Sequence, residues 1–315
     1  MRASVVVSTR NRAELLEGSL RSILADGPTP DWELVVVDNG STDGTAALVE
    51  RISREAGGDR IRYVREERPG LSNARNAGIA AAAGDLLLFT DDDVLVEPGW
   101  LDALCAGFAD DDVAAVAGRV VPEWPHPPPR WLAGRHAGVL ALTDFGDEPR
   151  DLTAAEYPLG ANMAVRASVV GPAPFDPRLG HRGGTYFAFE EFALFHELRA
   201  AGGRFTYRPD AVVRHRILAE RMTWEGMRRA TLHNGFGSRR AERFRGEPGV
   251  ARHRALPYLA RNAAATLRHA RRNRSRADLP PEAAFEELSS WWALGRWIYE
   301  ALGERAGAAA VRRLA

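Results

Sequence analysis

The N-terminal third of the chain alternates between short apolar runs and segments whose apolar positions recur at helical spacing. The short β-branched runs predict buried strands, and the helical spacing predicts helices that bury one face. Strands that alternate with helices in this way favour a parallel, doubly wound sheet. The predicted strands are Ala3–Val7, Trp32–Val37, Ile61–Val64 and Leu86–Thr90, and the helices between them begin after Asn11, near Thr42 and at Ser72.

The pattern changes after Val121. A Pro-rich, aromatic segment predicts a loop, a helix follows, and two short strands then flank a Pro-Asp pair. From Arg216 onward only helical periodicity remains. These segments are Pro122–Trp131, Glu190–Ala201, Phe205–Tyr207 and Ala211–Val213.

Composition indicates the compartment more than the fold. The chain has 42 basic and 42 acidic residues, but it is acidic up to about His215 and arginine-rich beyond it. Cys105 is the only cysteine, which excludes an intramolecular disulfide and favours a reducing cytoplasm. No stretch approaches the ~20 uncharged apolar residues of a membrane span. We therefore expect a cytoplasmic protein that is soluble or peripheral at the inner face of the membrane.

Three consecutive carboxylates, Asp91–Asp93, stand at the end of an apolar strand, and we call them the acidic triplet. Clustered carboxylates repel one another unless a cation lies among them, and Mg²⁺ often links carboxylates to substrate phosphates. An acidic turn without a ligand is the alternative for this segment alone. In a parallel sheet, however, Thr9, Asp38 and Asp91 all fall at one edge, where ligands bind in open α/β sheets. Their convergence favours a cation and phosphate site.

Longer motifs resemble family 2 glycosyltransferases over about residues 1–217. They are SVVVSTRNRAELL, ELVVVDNGSTDGT, GLSNARNAGIAAAAGDLLLFTDDDV, YPLGANMAVRASVV, FDPRLG and FEEFALFHELRAAG, followed by a His after a short strand. The resemblance implies the GT-A fold, an α/β fold with a mainly parallel central sheet. It implies a nucleotide-binding part at about 1–121, an acceptor and catalytic part at about 122–217, and an arginine-rich helical region at 218–315.

The resemblance also implies an inverting transferase whose donor is a nucleoside-diphosphate sugar. Thr9 and Asp38 resemble contacts to the nucleoside, and Asp91 resembles the carboxylate that faces the ribose. Arg75 resembles an arginine near the diphosphate, with a surface ion pair as the alternative. Arg10 departs from the family, in which an aromatic residue is common, although a guanidinium can also stack on a base.

A second group of residues resembles the metal site and the catalytic base. Asp93 resembles a ligand of Mg²⁺ or Mn²⁺. Asp92 is assigned to the donor and is the alternative to Asp93 as metal ligand. His215 resembles a further contact to the metal or the diphosphate. Glu191 resembles the general base that takes the proton from the acceptor hydroxyl, and its neighbour Glu190 is assigned to the acceptor. The structural alternatives are a buried His and two glutamates that only favour a helix N-terminus.

Four residues are assigned to the sugars. Gly160 and Asn162 resemble the segment beside the donor sugar, where Gly160 would permit close backbone approach and Asn162 would bind a hydroxyl. Trp124 and Trp131 could form an apolar platform for an acceptor sugar. Packing of their loop onto the domain is the favoured alternative.

The C-terminal region allows several partners. The basic run Arg268–Arg276 is expected to be a solvated helical face. The final helix carries an aromatic stripe on one face, which we expect to dock on the catalytic domain or in a homodimer. Its residues are Phe285, Leu288, Trp292, Gly295, Tyr299 and Leu302. Contact with anionic membrane lipids, through Trp291, Trp292 and Trp297, is a second hypothesis. Nucleic acid is not expected, because no recognised nucleic-acid module accompanies the run.

The expected donor is a UDP-sugar, and the acceptor is a glycan, a lipid-linked intermediate or a small molecule. Two other functions stay open. A sugar nucleotidyltransferase usually has a Gly-rich basic loop after its first strand, whereas this chain has STRNRAELL. A non-catalytic nucleotide-sugar-binding scaffold is disfavoured by the acidic triplet, Glu191 and His215.

Overall fold

The computed structural model describes residues 1–26, 31–132, 138–181, 189–273 and 279–314, and it divides into two compact units. The first unit comprises Met1–Glu123, Ala141–Arg178 and Glu190–Arg216, and the second comprises Trp124–Leu140, Leu179–Phe189 and Ile217–Ala315. The described residues of two segments that we assigned to the acceptor and catalytic part, 124–132 with 138–140 and 179–181 with 189, are grouped with the second unit.

The first unit is built on a mixed sheet of nine strands in its described residues. The strands are β1 (Ala3–Thr9), β2 (Trp32–Asp38), β3 (Ile61–Arg65), β4 (Leu86–Asp91), β5 (Val94–Val96), β6 (Val113–Glu123), β7 (Arg150–Asp151), β8 (Asn162–Arg166) and β9 (Arg204–Arg216). Their spatial order is β3-β2-β1-β4-β8-β6-β9-β5, and β7 pairs with β9.

The first four strands pair in parallel, as the alternation of strands and helices predicts. The helices α1 (Ala13–Ala25), α2 (Thr45–Glu55) and α3 (Leu71–Ala81) connect them, and α4 (Trp100–Ala106) and α5 (Glu190–Ala200) follow. Val5 and Val7 of β1 pack in one core with α1, whereas Val6 packs in another with Ala74 of α3. Because both faces of β1, β2 and β4 are covered, their central residues are continuous apolar runs, whereas the edge strand β3 is partly exposed.

The rest of the sheet is mixed. β8 runs antiparallel to β4 and β6, and β5 runs antiparallel to β9, while β6 and β9 are parallel. The two short strands predicted around Pro209 form the single strand β9. Its pairing with β6 jumps from Arg208 to Val212, so the intervening residues bulge out of the ladder. A bulge tolerates a proline, which has no N–H to donate.

The described part of the second unit contains three long helices: α6 (Trp224–Phe244), α7 (Arg252–Arg272) and α8 (Pro281–Leu314), which breaks at Gly303. A Cβ on Gly235 of α6 would lie 2.0 Å from the carbonyl oxygen of Trp292, so this glycine lets the two backbones touch. The core contains Leu232, Phe236, Trp291, Leu294, Ile298 and Val311.

The buried face of α8 differs from the predicted stripe by one position. Trp291 is buried in the core, whereas Trp292, which we expected on the packed face, is 39% exposed. None of the helices in the described ranges is long and apolar enough to cross a bilayer. The predicted α/β fold with a C-terminal helical region is confirmed.

Candidate active site

The carboxyl ends of β1, β2 and β4 meet at one edge of the sheet. Thr9 pairs with Asp38 across β1 and β2, and Ser8 pairs with Asp91 across β1 and β4. The predicted convergence of Thr9, Asp38 and Asp91 is confirmed by this register. Parallel strands that share a register end together, so the side chains that follow them gather at one place.

Asp38 is buried and accepts hydrogen bonds from three residues. Its carboxylate accepts hydrogen bonds from the backbone N–H of Ser41 at 2.7 Å, the hydroxyl of Tyr63 at 2.6 Å and the guanidinium of Arg65 at 3.2 Å. Burial raises the pKa of Asp38, but these hydrogen bonds and the charge of Arg65 outweigh it and lower the pKa below its usual value. Tyr63 and Arg65 were not predicted as site residues from the sequence. Their spacing of two places them on one face of β3, next to the end of β2.

Asp91 and Asp92 of the acidic triplet have different partners. The side chain of Asp91 is 34% exposed and lies 3.7 Å from the guanidinium of Arg75. Asp92 is buried, and it accepts a hydrogen bond from the hydroxyl of Thr9 at 2.7 Å. Thr9, which we expected at the nucleoside, thus holds a carboxylate of the triplet in this structure.

Arg12 is the cation that the sequence analysis missed. Its Nη1 donates to Asp92 at 2.9 Å and to Asp93 at 3.0 Å. Burial raises the pKa of Asp92 to about 6, and the charge of Arg12 opposes this rise. Arg12 therefore offsets the repulsion between the two carboxylates. The motif STRNRAELL contained the signal, because Arg12 directly precedes α1 at the same sheet edge as Arg10.

Asp93 and His215 are candidate metal ligands. The antiparallel pairing of β5 with β9 sets Val94 opposite His215, and the Nε2 of His215 lies 3.4 Å from the Oδ1 of Asp93. The Nδ1 of His215 is a buried nitrogen with no hydrogen-bond partner among the described residues.

The described ranges contain no ready cluster of three or more His, Cys, Asp or Glu side chains for a metal ion. Two protein ligands suffice where substrate phosphates and water complete the shell, as they often do for Mg²⁺. The carboxylate and imidazole of Asp93 and His215, 3.4 Å apart, are close enough to share one cation. The donor set of the chain therefore fits a divalent ion.

Arg75 joins the acidic triplet to the acidic pair at the start of α5. Its guanidinium is buried, and Nη1 donates to Glu190 at 2.7 Å. Glu190 and Glu191 are 2% and 9% exposed. Arg75 is thus a buried cation between Asp91 and Glu190, which contradicts the alternative of a surface ion pair. Two buried carboxylates share this one guanidinium, so their ionisation is unfavourable for at least one of them.

Glu191 is the carboxylate whose ionisation is unfavourable. Burial, together with the charge of Glu190, raises the pKa of Glu191 to about 7. Burial also raises the pKa of Glu190, but its hydrogen bond to Arg75 favours the ionised form. The Oε2 of Glu191 has no hydrogen-bond partner in the described part of the chain. A carboxylate that titrates near neutral pH and keeps one oxygen unpartnered is suited to general base catalysis.

Gly160 lies against Arg75. A Cβ at this position would be 2.2 Å from Nη2 of Arg75, so only glycine leaves room for the guanidinium where it stands. The close approach that we expected at Gly160 is therefore made by an arginine of the site. Its contact with a donor sugar stays a prediction.

Asn162 has structural contacts in this fold, and its binding of a sugar hydroxyl stays a prediction. It is fully buried. Its Oδ1 accepts from Trp100 Nε1 at 2.8 Å, and its Nδ2 donates to the carbonyls of Arg119 and Ala211 at 2.9 and 2.8 Å. These three hydrogen bonds connect the start of β8 to α4, β6 and β9.

The remaining predicted residues lie at other positions. Trp131 is 3% exposed and packs edge-to-face on Trp224, with ring centroids 5.1 Å apart, so it forms no open platform and the packing alternative holds. Trp124 is partly exposed in the second unit, and Arg10 is exposed just after β1. Their contacts with acceptor and donor stay predictions.

Comparison with known proteins identifies the class. The sequence profile described as Glycosyl transferase family 2 matches residues 4–170. The chain belongs to glycosyltransferase family 2, and its α/β architecture is that of the GT-A enzymes. It is therefore a glycosyltransferase.

Two relatives align over most of both chains. The succinoglycan biosynthesis protein ExoM of Rhizobium meliloti is 31% identical over 76% of this chain and 75% of its own length. A glucosyl-dolichyl phosphate glucuronosyltransferase of Haloferax volcanii is 25% identical over 76% of this chain and 77% of its own length.

The fold is similar to that of solved glycosyltransferases. The mannosyltransferase PcManGT from Pyrobaculum calidifontis, in complex with GDP-Man and Mn²⁺, aligns with a TM-score of 0.58 and 21% identity over 99% of this chain and 79% of that one. GalNAc-T7 with UDP, GalNAc and Mn²⁺ aligns with a TM-score of 0.52 and 21% identity over 70% and 44% of the two chains.

Proposed function

We propose that this enzyme transfers a sugar from a UDP-sugar to an acceptor hydroxyl with inversion, and that Glu191 is the general base. The observation that supports the proposal most is the buried acidic pair beside Arg75. It supplies a carboxylate with a pKa of about 7 and an unpartnered oxygen. Such a group accepts a proton at neutral pH and holds it while the new bond forms.

The edge of the sheet supplies the donor contacts in this proposal. Asp38, with Tyr63 beside it, binds the nucleoside, and Asp91 faces the ribose. Arg75 and Arg12 offer guanidinium groups to the diphosphate, which they match in geometry and charge. Nucleotide sugars or their parts are present in the structures of PcManGT and GalNAc-T7, which have a similar fold.

Asp93 and His215 hold the divalent cation in this proposal, and Mn²⁺ is present in both of those structures. When bound, such an ion stabilises the negative charge of the leaving diphosphate. The cation would take over the role that Arg12 has at Asp93, since both offset the same carboxylate charge.

The chain's own residues then account for the proton. The acceptor oxygen forms a bond to the anomeric carbon as the bond from that carbon to the diphosphate oxygen breaks. The acceptor proton moves to Glu191, and the electron pair leaves with the diphosphate. One displacement from the face opposite the leaving group inverts the anomeric centre. Arg75 keeps Glu190 ionised, and the negative charge of Glu190 makes Glu191 a stronger base.

The acceptor belongs to the same proposal. One relative is named for a dolichyl phosphate-linked sugar and another for the biosynthesis of a polysaccharide, so lipid-linked and glycan hydroxyls are the first acceptors to test. Because Cys105 is the only cysteine, we place the reaction in the reducing cytoplasm.

The test is turnover of a donor panel. The purified chain, with Mn²⁺ or Mg²⁺, should release nucleoside diphosphate from at least one UDP-sugar, and a chelator should stop the release. Asp93→Ala should abolish metal-dependent donor binding in calorimetry. Release from no donor in the panel, or full binding by Asp93→Ala, would reject the proposal.

The stereochemical outcome has its own measurement. Proton NMR of the first product should show the anomeric configuration opposite to that of the donor. Retention of configuration would reject direct displacement with Glu191 as base, while leaving the family membership intact.

A further inference from the structure

The helix α7 is cationic along its whole length. Its 21 residues include no Asp or Glu. They include six arginines and two histidines, which are Arg252, Arg254, Arg261, Arg268, Arg271, Arg272, His253 and His269. An ordinary solvated helix face mixes both signs of charge, because neighbouring opposite charges stabilise it. A single sign along the whole helix is typical of a surface that meets a polyanion.

The arginines and the apolar residues of α7 form two parallel rows. Arg254, Arg261 and Arg268 recur every seventh residue, so they line one side of the helix. Leu256 and Leu267 lie on the adjoining strip, with Ala260 and Ala264 between them at helical spacing. Leu256 is 50% exposed and Leu267 is 55% exposed. We call these two rows the α7 face.

The α7 face is turned away from the core of its unit. The fully buried residues of α7, Ala255 and Thr266, lie on the other side of the helix. Among the described residues, no ion pair forms with Arg254, Arg261 or Arg268, although Arg272 at the end of the helix contacts Glu286 at 2.7 Å. The described residues of this unit therefore offer the arginine row no ion pair that offsets its positive charge.

An open groove adjoins the arginine row. It has a volume of about 810 Å³, and its walls include the guanidinium-bearing side chains of Arg254 and Arg261. Its apolar side is a stacked aromatic pair, Tyr258 and Trp297, whose ring centroids are 4.7 Å apart, and Arg261 lies over the Tyr258 ring. Two cations beside an apolar wall match a ligand that carries a negatively charged group attached to an apolar part.

We propose that the α7 face binds the surface of an anionic phospholipid bilayer, with α7 lying in the plane of the interface. The arginine row contacts lipid phosphates, and the leucines enter the boundary between headgroups and acyl chains. The apolar strip decides against nucleic acid, whose backbone would leave the leucines in water. Membrane contact thus lies on α7, whereas the second hypothesis of the sequence analysis placed it on three tryptophans of α8. Of these, Trp291 is buried, Trp297 is stacked on Tyr258, and only Trp292 is exposed.

The test uses the full chain and unilamellar vesicles in a sedimentation assay. The chain should bind phosphatidylglycerol-containing vesicles at low salt, should not bind pure phosphatidylcholine vesicles, and should be released at ~0.5 M salt. The triple variant R254E, R261E and R268E should lower the partition coefficient at least about 100-fold, because each arginine near such a surface contributes a factor of about five and the three factors multiply.

Two further variants distinguish vesicle binding by the α7 face from a general effect of net charge. The triple variant R305E, R312E and R313E makes the same change of net charge on exposed positions of α8, and its vesicle binding should stay close to that of the unchanged chain. The double variant L256S and L267S keeps the charge and should weaken binding by about tenfold, since two half-exposed leucines lose their apolar contact. Circular dichroism and thermal unfolding confirm that each variant is folded.

Three results would overturn the proposal. They are absence of sedimentation with anionic vesicles at low salt, an equal loss in the α8 variant, and wild-type vesicle binding by L256S and L267S together with displacement by duplex DNA. The last result would indicate a general polyanion surface. No measurement here depends on sugar transfer, so failure of vesicle binding leaves the proposed catalytic function untouched.

Discussion

Replacing Glu191 with Gln should make the protein more stable and far less active. The change removes a buried negative charge and nearly preserves the shape of the side chain. Burial raises the pKa of Glu191 from its usual 4.5 to about 7. Between these values the folded protein holds a proton that the unfolded chain has lost, so stability falls as pH rises through this window. Above it, the ionised Glu191 costs about 3 kcal/mol of unfolding free energy.

Urea unfolding of the wild type and of Glu191→Gln at two pH values measures this cost. At pH ~8 the variant should be more stable by about 3 kcal/mol, and at pH ~4.5 the two proteins should be nearly equal. Donor turnover by the variant should fall by about 10²–10⁴-fold, the usual contribution of a general base. In the wild type, kcat/KM should decline as pH falls below about 7, because the base becomes protonated.

Glu190→Gln is the matched control. It makes the same chemical change one residue away, but it deprives the buried guanidinium of Arg75 of a partner at 2.7 Å. This control should therefore lose about 3 kcal/mol of stability instead of gaining it. The reasoning would be refuted if Glu191→Gln were no more stable than the wild type at pH ~8, or if it kept most of its activity.

Three further substitutions test the surrounding contacts. Gly160→Ala should lower turnover at least about tenfold, because its Cβ would lie 2.2 Å from Nη2 of Arg75; unchanged kcat would contradict this packing. Asn162→Ala should cost about 3 kcal/mol in urea unfolding, because the indole N–H of Trp100 and the carbonyls of Arg119 and Ala211 lose their partner. Weaker donor binding at unchanged stability would instead support the assignment of Asn162 to the sugar. Arg12→Gln should tighten Mn²⁺ binding in calorimetry about fivefold, since the ion no longer competes with a guanidinium for the carboxylates. The control Arg10→Gln should leave Mn²⁺ binding unchanged. Weaker Mn²⁺ binding by Arg12→Gln would show that Arg12 supports the metal site.

Local periodicity predicted the first half of the fold because it reports which residues are buried. The runs Val5–Val7 of β1 and Leu34–Val37 of β2 are apolar throughout since helices cover both faces of their strands. Once the strands are parallel, their ends share an edge, and the gathering of Thr9, Asp38 and Asp91 follows. The fold class and the acidic edge of the sheet were therefore available from the sequence.

The second half of the sheet was harder to predict because its pairings join distant segments. The strand β9 was expected as two pieces, since Pro209 interrupts its pattern, and only its pairing with β6 shows that a bulge absorbs the proline. On α8, a difference of one position decided that Trp291, and not Trp292, is buried. Helical periodicity locates a face to within about one residue, and packing against α6 decides the rest.

The sequence by itself determined the family, the acidic triplet and the acidic pair, because these lie in continuous motifs. Only the tertiary structure decided what each residue contacts. Arg75 and Glu190 are 115 residues apart in the chain and 2.7 Å apart in the fold. Asn162 has the same amide whether it meets a sugar or, as here, the indole of Trp100. The pKa of Glu191 depends on burial and on neighbouring charge, and both are set by the packing of α5 against the sheet and not by the residue type.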